Sequence, residues 1–274
     1  MLYRRYTPSL PLSAFVDCIW YSEGFEGAHE RERLLPNGES GIVFDLREQP
    51  VRIYDAQNID KFESYAPAIF CGARTDCFVI DTSRQEPVIG IQFRPGGAFP
   101  FLAMPASEVA NGTYSLDDIW PGQARLLRDE LMNAPDIDAM FCILERVLTS
   151  RLAKVWTLHP AVSFAIASLG RSTGDVRVRS VADRVGLSSR RFIELFCNQT
   201  GLTPKAFQRV RRFQQVLRTL HARSHSEENW ASLALNSGYY DQAHFIHDFK
   251  IFSGMTPGEY VTVATPHLNH IPLK

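Results

Sequence analysis

The chain has 274 residues, 45% of them hydrophobic and 22% charged, with a formal net charge of −1. That length accommodates two domains with a core each, and no stretch approaches the ~20 unbroken apolar residues of a membrane span. The N-terminus lacks the apolar run of a signal peptide, so the expected location is cytoplasmic. Five cysteines (Cys18, Cys71, Cys77, Cys142, Cys197) without a CxxC pair argue against a disulfide framework or a structural zinc site, and read as mostly buried free thiols.

Residues 1–22 mix short apolar clusters with Pro8 and Pro11, consistent with a strand or short helix laid on the following domain. From Arg33 the texture is β-rich: LLPNGESGIVFDL, VRIYDA, AIFCGART, CFVIDTS and PVIGIQFRPGG are short apolar segments separated by turn residues. This spacing predicts an antiparallel sandwich or barrel whose last strand is broken at Gly96 and Gly97. FPFLAMPASEVANGTYSLDDIW reads as two short helices around a polar turn, with Ser115 as N-cap of the second. Two longer helices follow, one begun by Pro121 and one carrying Ile137, Met140, Phe141, Leu144, Val147, Leu148 and Leu152 as a stripe. Such a stripe more often seals a core than forms a dimer seam. A metal-binding cupin needs clustered histidines, and His29 is alone in this half, so no metal centre is expected.

His159 and Pro160 mark the boundary between a β-rich domain with a helical tail (1–158) and an all-α domain (159–263). Residues 264–274 read as a loosely ordered tail. The α domain is expected to begin with a helix at 160–169 and a loop at 170–174. It then contains a repeat: SVADRVGLSSRRFIELFCNQTGLTPKAF is matched about fifty residues later by NWASLALNSGYYDQAHFIHDFKIFSGMTPGEY. Ala182 falls on Ala234 and Gly186 on Gly238. After one inserted residue, Ser188, Phe192, Phe196, Gly201, Thr203, Pro204 and Phe207 fall on Asp241, Phe245, Phe249, Gly254, Thr256, Pro257 and Tyr260. Each copy reads as a helix-turn-helix: a short helix with a small residue at the crossing, a glycine that ends it, and an N-capped second helix with a phenylalanine stripe. Between them, KAFQRVRRFQQVLRTLHAR is an amphipathic helix with Phe207, Val210, Phe213, Val216, Leu217 and Leu220 at three- to four-residue spacing.

The phenylalanine stripes fix the opposite, outward faces. In the first copy these carry Ser189, Arg190, Arg191, Ile193 and Glu194; in the second, Gln242, Ala243, His244, Ile246 and His247. Arg, Gln, Glu, Ser and His can hydrogen-bond base edges in a major groove, while Ile and Ala can meet thymine methyls. An amphipathic helix with a merely solvated face explains one copy equally well, but duplicated turns and caps favour a docking surface that itself repeats, as a duplex groove does every ~34 Å. His244 and His247 have the spacing of a metal pair or pH switch, but DNA contact is the favoured role on an outward face. Arg209, Arg211, Arg212 and Arg218 lie off the apolar stripe of the connecting helix and are candidates for phosphate contact, Arg212 foremost. Charge agrees: from His159 onward there are 14 Lys and Arg against 8 Asp and Glu, and before it 15 against 22.

These residues resemble AraC/XylS-type transcription regulators: GYYDQAHFIHDFK with GMTPGEY is similar to their second helix-turn-helix, and VADRVGLSSRRFIELFCNQTGLTPKAFQRVRRFQQVL to their first. The resemblance implies a DNA-binding domain of about seven helices whose two recognition helices enter successive major grooves. Glu194 departs from the basic or neutral residue common there and suits a cytosine amino group or an ion pair. LPNGESGIVFDL and GIQFRPGGAFPFLAMPASEVAN resemble the N-terminal domain of a subset of that family, which implies a β-rich sensor-like domain. The expected fold is therefore two-domain α+β, and the expected function is sequence-specific regulation of transcription without catalysis or cofactor. Double-stranded DNA and RNA polymerase are the expected partners. A small-molecule effector, for which Glu39, Asp45 and Arg94 are candidate pocket groups, and a second copy of the chain are further ones. The alternatives are a cysteine-dependent DNA-repair alkyl acceptor and an architectural DNA binder.

Overall fold

The computed structural model describes residues 2–24, 29–47, 49–82, 87–152, 157–171, 176–222 and 229–273. The first half forms strands β1 (Leu2–Tyr6), β2 (Val16–Glu23), β3 (Arg31–Leu34), β4 (Gly41–Asp45), β5 (Val51–Tyr54), β6 (Phe62–Tyr65), β7 (Ala68–Cys71), β8 (Phe78–Asp81), β9 (Val88–Phe93) and β10 (Thr113–Ser115). Helices α1 (Leu116–Ile119), α2 (Ala124–Met132) and α3 (Ile137–Leu152) complete it. The second half holds α4 (Pro160–Arg171), α5 (Val178–Arg184), α6 (Ser189–Thr200), α7 (Pro204–Ala222), α8 (Trp230–Asn236), α9 (Gln242–Ser253), α10 (Pro257–Val263) and a last strand, β11 (His270–Leu273). The helices α4 to α10 supply the seven expected of the DNA-binding domain among the described residues.

Two antiparallel sheets form, not one closed barrel: one in the order β1-β2-β9-β4-β7-β10, the other β11-β3-β8-β5-β6. Alternation along the central strands sorts their faces. Val16, Ile19 and Tyr21 of β2, Ile42 and Phe44 of β4, and Ile89, Ile91 and Phe93 of β9 point into one core, where Leu127, Leu131, Phe141, Leu144 and Leu148 of α2 and α3 meet them. The α3 stripe therefore seals a core, with Ile137, Met140, Val147 and Leu152 packed at its margin. The first and second helix-turn-helix units own separate cores, around Phe192, Phe196 and Phe207 and around Phe213, Phe245, Phe249 and Tyr260.

Several expectations are corrected. The tail is not loose: β11 pairs antiparallel with β3, from His270 opposite Leu34 to Leu273 opposite Arg31. Ser115 occupies the N-cap of α1 as expected, but its side chain makes no capping bond; the hydroxyl accepts from the Ala66 amide at 3.4 Å. The helix expected from Pro121 starts at Ala124, after a turn. Of the thiols, Cys18 alone is fully buried, Cys71, Cys77 and Cys197 are half-buried, and Cys142 is exposed. Gly170 belongs to α4, and the rest of the expected 170–174 loop falls largely outside the described residues.

Candidate nucleic-acid interface

The two helix-turn-helix units repeat each other bond for bond. Gly186 and Gly238 both sit in the left-handed region, at φ 70° and 77°, where a Cβ would be strained. That bend brings the next amide back onto the first helix: Leu187 N donates to the Ala182 carbonyl at 3.1 Å and Tyr239 N to Ala234 at 2.9 Å. The second helix of each unit then starts from a side-chain cap. The Ser188 hydroxyl accepts from Arg191 N at 3.3 Å, and the Asp241 carboxylate from His244 N at 2.7 Å. The far ends match too. Thr200 Oγ1 donates to the Phe196 carbonyl at 2.8 Å and accepts from Leu202 N at 3.3 Å; Ser253 Oγ does the same with Phe249 at 2.7 Å and Met255 at 3.2 Å. Thr200 and Ser253 were not singled out from sequence. Their signal was present in the repeat, a hydroxyl one residue before each capping glycine.

With Phe192, Phe196, Phe245 and Phe249 fully buried, the opposite faces are free. Ser189, Arg190, Arg191, Ile193 and Glu194 are exposed on α6; Gln242, Ala243, His244 and His247 are exposed on α9, and Ile246 is half-buried against its core. Arg191 and Glu194 form an ion pair at 3.2 Å with both side chains more than half exposed, a weak contact that a duplex could replace. His244 is held more firmly. Its ring stands edge-on to Tyr239 at 5.3 Å, and its Nε2 lies 3.8 Å from the Asp248 carboxylate.

Three of the four connecting arginines are engaged within the fold. Arg209 makes two bonds to the buried Asp248, at 2.7 and 3.3 Å, and lies over the Phe252 ring. Those hydrogen bonds hold the guanidinium above its ordinary pKa. Arg212 is half-buried, its guanidinium 5.0 Å from the Tyr239 ring centroid. Arg211 turns to the β domain, 3.5 Å from Glu39, and Arg218 is exposed.

Of the three candidate effector-pocket residues, Glu39 and Arg94 share Asp17 as a neighbour, while Asp45 lies apart. Asp45 lies at the far end of β4 from Gly41, where its side chain accepts the Arg47 amide at 2.9 Å. Arg94 donates to the Ser13 carbonyl at 2.8 Å and pairs with Asp17 at 3.2 Å. Glu39 sits in the seam between the β domain and α7, where Gln92 Nε2 donates to it at 3.1 Å. Burial pushes its carboxyl up to about 7, against the pull of Arg211. Next to it, Gln214 Nε2 donates to the Pro36 carbonyl at 2.8 Å, and Gly38 lies against Val210 and Phe207. Arg33 reaches the second unit, donating to the Ser253 carbonyl at the end of α9 at 3.2 Å. Residues 33–39 thus form one contact through which the β domain touches the spacer helix and the second unit.

Comparison with known proteins gives two family matches. Residues 4–115 match a family described as a domain of unknown function (DUF6597), and residues 181–262 match a helix-turn-helix domain family. An uncharacterized HTH-type transcriptional regulator of Haemophilus influenzae is 28% identical over 95 residues, 35% of this chain and 31% of the relative. The chain thus matches under a third of that relative's length. Among solved structures, an apo variant of ToxT from Vibrio cholerae is similar over 90% of this chain and 97% of its own, at 12% identity and a TM-score of 0.46. An AraC-type regulator from Chromobacterium violaceum is similar over 39% of this chain and 96% of its own, at 20% identity and a TM-score of 0.35.

Proposed function

We propose that the chain, whose residues 181–262 match a helix-turn-helix domain family and resemble AraC-type regulators, is a sequence-specific DNA-binding regulator of transcription. Its two recognition helices, α6 and α9, enter successive major grooves on one side of the duplex. The observation that carries this reading is the doubled framework: two units with the same turn, cap and helix-end bonds, each leaving a polar face exposed. The spacer has the right length. Nineteen residues of α7 at ~1.5 Å each give ~28 Å, close to one groove repeat once the offset of the heads is added.

The β domain adjusts this binding, in response to a small molecule or a second copy, through its contact with α7. Supporting this is the seam of Glu39 with Arg211 and of Pro36 with Gln214. RNA polymerase is the expected further partner. Burial raises the thiols of Cys18, Cys71, Cys77 and Cys197, the wrong direction for the activated nucleophile of an alkyl acceptor. Selection of bound sequences from random DNA by the full chain tests the proposal. A bipartite site with its halves about ten base pairs apart is expected; enrichment of no sequence would refute it.

A further inference from the structure

The end of the chain does not hang from the DNA-binding domain but returns to the other one. After α10, the Asn269 carbonyl accepts the Leu35 amide at 2.9 Å, and β11 adds itself to the edge of the second sheet beside β3. Pro272 is tolerated there because β11 is, among the described residues, an edge strand paired on one side only. Ile271 is fully buried and shares a core with Leu35 of the β domain and with Phe213, Phe249 and Tyr260 of the second unit. Gln214 of α7 ties the same segment down, donating to Asn269 Oδ1 at 2.8 Å.

A charged clasp sits on the strand pair. Glu32 of β3 is buried, and its two oxygens are taken by His29 Nε2 at 2.8 Å and by His270 Nδ1 at 2.7 Å. Glu32 lies opposite Pro272, so His270 is its diagonal neighbour on the same face. Burial alone would raise the Glu32 carboxyl; the two imidazoles outweigh it and hold it below its ordinary range.

We propose that residues 265–273 are a strap which fastens the second reading head to the β domain, with Glu32, His29 and His270 as its clasp, and so fixes the head in the orientation that DNA requires. The strap does not cover the reading face, since Gln242, Ala243, His244 and His247 remain exposed while it is fastened. It therefore pre-orders the head and does not block it. Ordering before binding lowers the entropic cost of engaging the second half-site.

This inference rests on α9 being a DNA-contacting helix, and the test separates the two ideas. Full-length Glu32→Gln, His270→Ala and wild-type chains are compared by amide hydrogen exchange without DNA, and by affinity for a bipartite site and for a site with only the first half intact. The strap predicts exchange at least ~10-fold faster through β11 and α8 to α10 in both variants, with the first sheet unchanged. It also predicts a loss of about tenfold on the bipartite site and none on the single half. Unchanged exchange would show that the clasp fastens nothing. Faster exchange with equal or tighter bipartite binding would overturn the pre-ordering role. A wild-type chain that binds no DNA refutes the regulator reading instead, while the exchange result still judges the strap.

Discussion

Arg190 and Arg212 separate two kinds of arginine on the DNA-binding domain. Arg190 is exposed near the start of α6, two residues past the Ser188 cap, on the face proposed to meet base edges. Arg190→Ala is expected to cost about 1–3 kcal/mol on the preferred site and to relax choice at one or two base pairs, seen as a smaller ratio of specific to random binding. Equal loss on both DNAs would remove Arg190 from the readout. Arg212, over the Tyr239 ring, is the arginine proposed to meet a phosphate, and Arg212→Ala should weaken all sequences alike and lower the salt slope by about one. A third charge acts only inside the fold. Asp248 is buried and ties α9 to α7 through Arg209, so Asp248→Asn should lower unfolding stability by about 2–4 kcal/mol in urea titration. That pair spans 39 positions, and the Arg212–Tyr239 stack also reaches past the next helix, so nothing in the helical periodicity of α7 marked which arginines were already taken. The outward residues were legible because buried phenylalanines at three- and four-residue spacing leave only one direction for the rest.

At the scale of elements, each recognition helix depends on how it ends. Ser253 Oγ is fully buried and bridges the Phe249 carbonyl and the Met255 amide, and Thr200 does the same in the first unit. Ser253→Ala should therefore cost about 1–2 kcal/mol, and Thr200→Val a similar amount, because each leaves buried backbone groups unmatched. Thermal melts of the two single variants check this; a change below ~0.5 kcal/mol in both would make the doubled hydroxyl incidental. The strands were unevenly legible for physical reasons. Strand β4 alternates buried and half-buried residues, while β7 and β9 are buried at three successive residues each, so all three stand out as apolar runs. Leu2–Tyr6 and Phe62–Tyr65 are exposed almost throughout, so they show no period of two. His270–Leu273 is four residues long and contains Pro272, which reads as a breaker until the sheet edge beside it is known.

Across the whole molecule, the β domain grips both units: Ser107 Oγ donates to Asn198 Oδ1 at 3.2 Å at the end of α6, and Arg33 holds the end of α9. Glu39 lies in this grip, facing Arg211 and Arg218 of α7, Gln92 of β9 and Asp17 of β2. Its motif was conspicuous in the sequence, but its partners were not, since they come from three distant elements. The Glu39 carboxyl is raised from 4.5 to about 7, so folding favours its protonated form. The stability this contributes is fully present below the unfolded value of 4.5 and is lost as pH rises through about 7. Above that pH the folded chain carries a buried carboxylate that Arg211, itself lowered by burial, compensates only in part. Glu39→Gln supplies a neutral group of the same shape at every pH. Its stability should match wild type near pH ~4 and exceed it by about 2–3 kcal/mol near pH ~8.5, in urea titrations at both pH values. The Glu32 clasp titrates in both proteins and cancels from the difference. A difference that stays flat with pH would mean that Glu39 is ionised throughout and that the seam tolerates its charge. Should the difference appear, DNA affinity of wild type but not of Glu39→Gln is expected to shift over the same pH window, because the group that titrates touches the helix joining the two heads.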